Sequence, residues 1–184
     1  MKTSYLEWSE YIRCLDGLLG DRIRLMAAFQ GMCGLRVGDV LNLKWGDIKD
    51  KEDILIEEEK TEKVRKIHLN ESVIKIIKEE YYDYDDCVYL FKTKFGNKPM
   101  TISWVNRRYK QVFENNNIIY EGNVSSHLFR KTFGRRYMEL NDYSDKALIM
   151  LNEVYQHSTI KMTKIYLGIR DEEIKDVYKS MIIN

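Results

Sequence analysis

A chain of 184 residues with 44% hydrophobic content can bury a core of its own, so one domain, or one with a small appendage, is expected. Its longest apolar run, Leu25 to Phe29, is far too short to cross a bilayer, and first turns carrying Glu7, Trp8 and Glu10 do not read as a signal peptide. A formal net charge of +1 gives no sign of nucleic acid by itself, and three scattered cysteines, Cys14, Cys33 and Cys87, exclude paired metal spacing. The expectation is a cytoplasmic protein, away from membranes, whose thiols are reduced and buried or half-buried.

Ser4 to Leu19 read as a helix with Leu6, Ile12, Leu15 and Leu18/Leu19 on an irregular apolar face. A second helix begins near Asp21 and runs to Cys33 as a mostly apolar cylinder, with Gly34 as its C-cap. A short helix follows within Leu35 to Leu43, packing Val37 and Val40/Leu41 inward. Arg36 lies at the junction, and on this segment alone it reads as an ordinary surface residue. The period then changes: Ile54 to Glu57 and Val64 to Leu69 are two strands of a hairpin with lysines at its tip, Lys60 and Lys63. His68 is a strand residue opposite the Ile67/Leu69 face. Asn70 or Ser72 caps a helix to about Tyr82, followed by an acidic loop, a short apolar segment at Val88 to Phe91, and a turn at Pro99.

Thr101 or Ser103 opens a helix with Val105, Tyr109, Val112 and Phe113 inward and Arg107, Arg108 and Lys110 on its other face, ended by Asn115 to Asn117. Ser125 or Ser126 starts the next, through Leu140, with Phe129, Phe133, Tyr137 and Leu140 as its buried stripe. His127 and Arg130, three apart, share a face with Lys131. Ser144 to Tyr155 turns Ala147/Leu148, Leu151 and Val154/Tyr155 to the core. An amphipathic piece, Asp171 to Ile182, closes the chain with a stripe of Ile174, Val177, Tyr178 and Met181. The fold class is mainly α with a small antiparallel β-sheet, without repeat, low-complexity tract or linker.

Charge is uneven along this order. Met100 to Leu140 holds seven basic residues against three acidic, a net +4, while acid collects at Glu52 to Glu59 and Glu79 to Asp86. One basic face on a neutral protein suits a phosphate partner, and equally suits solvated helix surfaces. Between Tyr155 and Leu167, His157 precedes Tyr166 by nine residues. At about 100° per residue, one unbroken helix would set them on opposite sides, so His157 lies before the helix, with Ser158 as N-cap. A tyrosine hydroxyl has a pKa of about 10, so Tyr166 would need a cationic pocket to act as a nucleophile.

Six polar residues at fixed points supply one: Arg36, Lys60, His127, Arg130, His157 and Tyr166. Their order and settings resemble the catalytic domain of tyrosine recombinases, the phage integrase family. Gly34-Leu35-Arg36 with Asp39 and Leu41-x-Leu43-x-Trp45-x-Asp47 looks like its first arginine box. Lys60-Thr61 with Arg65 and Leu69 resembles its lysine hairpin, His127-x-x-Arg130 its His-x-x-Arg box, and His157 followed by Tyr166 its last box. The resemblance spans residues 25 to 167. It departs at Tyr155-Gln156, where the family usually has Leu-Gly, and in the near-neutral charge.

The resemblance implies a tyrosine recombinase catalytic-domain fold and site-specific recombination of double-stranded DNA, as in mobile elements, through a 3′-phosphotyrosyl link on Tyr166. It implies no cofactor, nucleotide or metal. Arg36 and Arg130 would hold the phosphate, His127 would bond it or act as base, and His157 would donate to a non-bridging oxygen. Lys60, with Lys63 as runner-up, would protonate the leaving 5′ oxygen. Asp39 would orient a neighbour, and Lys63, Arg107, Arg108 and Lys131 would touch DNA. A homo-oligomer, a tetramer on DNA and a monomer in solution, is the implied assembly, with the last segment packed in cis or on a neighbour. Residues 1–184 would form a single catalytic domain. No N-terminal core-binding domain is seen, so the chain is a fragment or one of the short kind. The alternative is a non-catalytic DNA-binding module on the same scaffold.

Overall fold

The first helix, α1 (Trp8–Gly17), is opened by Glu7 and Glu10: the Glu7 amide donates to the Glu10 carboxylate at 3.1 Å. These and the following elements come from a computed structural model that describes residues 5–57, 64–81, 83–118, 120 and 122–181. Helix α2 (Ile23–Met32) is buried at every position from Ile23 to Gly31, which makes it the central rod of the fold. It stops because Gly34 takes φ +64°, letting the amides of Cys33 and Leu35 both bond the Phe29 carbonyl, at 3.2 and 3.3 Å. A Cβ on Gly34 would sit 2.6 Å from the Phe133 ring.

Two short helices follow, α3 (Val37–Leu41) and α4 (Trp45–Ile48), then strands β1 (Asp53–Glu57) and β2 (Val64–His68). The strands pair antiparallel from Asp53↔His68 to Glu57↔Val64, so residues 58–63 connect them. Helices α5 (Glu71–Glu80), α6 (Ile102–Asn115), α7 (Leu128–Glu139), α8 (Asp145–Tyr155), α9 (Ile160–Leu167) and α10 (Ile169–Ser180) complete the chain. Side chains of Asn70, Thr101, Ser144 and Thr159 cap α5, α6, α8 and α9, each accepting the amide three residues on. The cap of α9 is therefore Thr159 rather than the expected Ser158. Helix α7 begins at Leu128, after the expected Ser125 or Ser126.

Two apolar cores result among the described residues. The larger is built around α2, which packs on α1, α3, α5, α6 and α7. The smaller gathers Met138, Ala147, Leu148, Leu151, Tyr155, Leu167 and Ile169 from α7 to α10. Helix α7 crosses between them, with Leu128 and Phe129 in the first and Met138 in the second. The candidate functional residues Arg130, His127, His157 and Tyr166 collect at this seam.

Several expectations are corrected. Leu140 is 65% exposed, because α7 ends at Glu139 and the chain turns away. Cys87 is exposed, whereas Cys14 and Cys33 are buried. Helix α4 was not anticipated; its first amide, from Trp45, reaches the Val88 carbonyl at 3.0 Å, and Leu90 returns a bond to Leu43 at 3.0 Å. The apolar stripe of α10, for which packing in cis and on a neighbour were both open, is exposed at Ile174, Val177 and Tyr178, and Met181 beyond it is exposed too. The expected helix limits at Ser4, Tyr82 and Ile182, and the hairpin tip with Lys60 and Lys63, lie outside the described residues.

Candidate active site

Arg130 enters from the first turn of α7 and is only 3% exposed. One guanidinium nitrogen, Nη1, donates to the Gly34 carbonyl and the other, Nη2, to the Tyr155 carbonyl at 3.1 Å. Arg36, at the start of α3, is half-buried and sends Nη2 to the same Tyr155 carbonyl at 2.9 Å. Its Nη1 lies 4.0 Å from Asp39, one turn further on. Two cationic forks from distant parts of the chain thus converge on one backbone oxygen. Arg36 is no ordinary surface residue, because the αL turn at Gly34 and the smaller core place an acceptor in front of it.

Tyr155 was assigned to the core by the sequence, and it also forms the floor of the site. Its ring lies under the Arg130 guanidinium, 4.2 Å from the centroid, and its hydroxyl donates to the Arg130 carbonyl. Gly134 leaves the space for that hydroxyl, since a Cβ there would meet it at 2.4 Å. Arg65, half-buried on β2, donates to the Val154 carbonyl; burial first, then the neighbouring Arg36 and Arg65, disfavour the charge on Arg130.

His127 sits at the N-cap of α7 in a turn tied down by its neighbour Ser126. The Ser126 amide donates to Asn106 Oδ1 at 2.7 Å and its carbonyl accepts from Gln30 Nε2 at 2.7 Å. Gln30 in turn accepts from the Tyr109 hydroxyl at 2.8 Å. His157 follows α8, its Nδ1 2.9 Å from the Thr163 hydroxyl. The turn between α8 and α9 is made by Gln156 in the left-handed region, φ 50° and ψ 44°. That conformation suits glycine, which accounts for the glycine of the family pattern at this place.

Tyr166 projects from α9 back into this pocket. Its ring is edge-on to Tyr155 (5.5 Å, 85°) and to His157 (5.3 Å, 73°), and Lys131 lies 5.1 Å from its centroid. Its oxygen is 3.5 Å from His127 Nδ1, the outer limit of a hydrogen bond, and the Arg130 charge acts on it. Burial pushes the phenol pKa up to about 12 against the opposing pull of Arg130 and Arg36, so the resting hydroxyl is protonated. Burial, then Arg130 and Arg36, bring His157 down to about 4. Burial, then Lys131 and Arg130, hold His127 below the usual histidine range.

Arg36, His127, Arg130, His157 and Tyr166 are therefore brought together, while Lys60 and Lys63 lie outside the described residues. The basic stretch does not form one free cationic face. Arg130 and Arg135 are buried, Arg108 is held by Asp21, and Arg136 lies 3.5 Å from Glu139; Arg107 and Lys110 are exposed. Gln30, Asn106, Asn152, Tyr155 and Thr163 were not singled out for the site by sequence, since each acts through contacts that no short motif encodes. Chemically, the arrangement is a pocket for an oxyanion beside a hydroxyl, with two neutral imidazoles at hand.

The fold is that of tyrosine recombinase catalytic domains. The chain aligns over 98% of its length with a crystal structure of XerA recombinase, at a TM-score of 0.72 and 21% identity, covering 65% of that chain. It aligns over 97% with XerH site-specific recombinase bound to palindromic difH substrate in a post-cleavage complex, at a TM-score of 0.66 and 21% identity, covering 53% of that chain. Residues 13–173 match the phage integrase family, and the chain belongs to that family. It is 31% identical over 145 residues to the probable integrase/recombinase YoeC of Bacillus subtilis (strain 168), covering 79% of this chain and 76% of YoeC. It is 27% identical over 149 residues to a tyrosine recombinase of Agathobacter rectalis, covering 78% of this chain and 46% of that protein.

Proposed function

We propose that this chain cleaves and rejoins double-stranded DNA at specific sites through a 3′-phosphotyrosyl link on Tyr166. The observation that carries the reading is the phenol of Tyr166 set beside Arg130 and His127 in a pocket where two guanidiniums already converge. The transition state spreads negative charge over the non-bridging oxygens, and Arg36 and Arg130 match that geometry with paired N–H donors. A phosphate drawn between them adds its own pull on the guanidiniums, and the phenol proton passes to neutral His127 as the P–O bond to Tyr166 forms. Lys60 or Lys63 delivers a proton to the leaving 5′ oxygen. Religation by a partner strand's 5′-hydroxyl reverses the step, with the bond energy kept in the ester between protein and DNA.

Residues 1–184 act here as the catalytic domain, in the cytoplasm where the DNA is. Assembly into a tetramer on DNA is supported by the exposed apolar stripe on α10, which has no cover on its own chain among the described residues. The test is a nicked target-site duplex incubated with the protein and run on a denaturing gel. A covalent adduct is expected with the wild type and none with Tyr166→Phe. An adduct that persists in that variant overturns the assignment of the nucleophile. DNA retention without adduct on any such substrate would instead favour a binding module. Arg130→Ala should slow adduct formation by on the order of 10²-fold, the scale of losing one oxyanion donor.

A further inference from the structure

The second histidine of the site has its proton placed by residues that the reaction chemistry does not use. Asn152 Nδ2 donates to the His157 carbonyl at 3.1 Å, and that carbonyl can only accept, so the direction of the amide is fixed. Asn152 Oδ1 then faces Thr163, 2.8 Å from its hydroxyl oxygen. An amide oxygen also only accepts, so the single hydroxyl proton of Thr163 is committed to Asn152. Thr163 Oγ1 is left as an acceptor, and 2.9 Å away is His157 Nδ1. Nδ1 must therefore carry a hydrogen. Thr163 is fully buried, so no water competes for this chain of bonds.

We infer that Asn152 and Thr163 are positioning residues that lock His157 in its Nδ1–H tautomer and leave Nε2 as the nitrogen that meets the DNA phosphate. The inference rests on the recombinase reading for that last step, and on geometry alone for the tautomer. The groups facing His157 are Arg130 from α7, Arg36 from the α2–α3 junction, and the phenols of Tyr155 and Tyr166 from α8 and α9. The two guanidiniums oppose a second proton on the ring. The bare Nε2 consequently becomes a donor only by taking a proton from water, once a phosphate enters among these cations and offsets them. A ring free to exchange its proton would lose this order of events.

The test is the 15N spectrum of His157 in the full chain, without DNA, at pH 7. Expected are a protonated-type shift for Nδ1 and a bare-type shift for Nε2. Thr163→Val, nearly equal in shape, should erase that signature and slow cleavage of a nicked duplex by on the order of 10-fold, the scale of losing a partner that orients a working imidazole. Thr163→Ser should restore both. A bare Nδ1 in the wild type overturns the inference, as does Thr163→Val that keeps the wild-type spectrum, rate and pH profile. Should the wild type cleave no duplex, the recombinase reading fails, while the spectrum still decides the tautomer.

Discussion

Burial, more than any partner, sets the resting state of Tyr166, His127 and His157. With the Tyr166 pKa raised to about 12, the attack proposed for the phenol needs a base, the role proposed for His127 while it is neutral. Adduct formation should therefore hold level down to about pH 6.5, the usual histidine value, and fall only below it, as pH drops through the lowered pKa of His127. His127→Gln should be slow at every pH and show no such step; a step surviving in that variant would assign the base elsewhere. His157 makes a separate prediction about stability. Its folded pKa of about 4 lies below its unfolded value, so acid favours the unfolded chain, which takes up the proton first. Denaturation midpoints should fall from about pH 6.5 toward about 4, and His157→Asn should fall less steeply over that window.

Among the elements, the α8–α9 turn holds a non-glycine residue in the left-handed region, as Asp50, Asn117, Asp142 and Tyr143 do elsewhere. Gln156 holds φ 50°, and a β-branched residue there is worse by about 1–2 kcal/mol, so Gln156→Val should unfold at correspondingly lower denaturant while Gln156→Gly should not. Gly34→Ala should cost more, since strain at φ +64° adds to contact with the Phe133 ring and shifts the carbonyl that Arg130 bonds. These positions also show what the sequence made legible. The arginines, histidines and Tyr166 stand out because motif spacing runs along the chain, and strands and helices follow from period 2 and 3.6. Tyr155 is silent in that respect: its carbonyl meets Arg36 across 119 residues and Arg130 across 25. Gln30 likewise steadies the His127 turn from 96 residues away. A helical stripe predicts that such residues are buried, and says nothing of which polar atom they offer. Leu140 failed in the opposite sense, since a stripe continues on paper after the helix has ended.

For the molecule as a whole, the two cores divide the labour. Arg36 and His127 are anchored on the larger, Tyr166 and His157 on the smaller, and α7 with Arg130 spans both. Helix α10 adds little to either beyond Ile169, and its ion pair between Lys164 and Glu173 at 2.7 Å is exposed and so worth under about 1 kcal/mol. Deleting residues 171 to 184 should thus leave a folded monomer with a melting temperature within a few degrees of the intact chain, but abolish the assembly on DNA proposed above. An unfolded product would show that the segment packs on its own chain.

The carbonyl shared by both arginines has a further consequence. Each arginine carries about 2 kcal/mol of rotamer freedom, and here much of it is surrendered when the chain folds rather than when a ligand arrives. The backbone oxygen of Tyr155 stands in for the guest, keeping the seat in shape until it is taken.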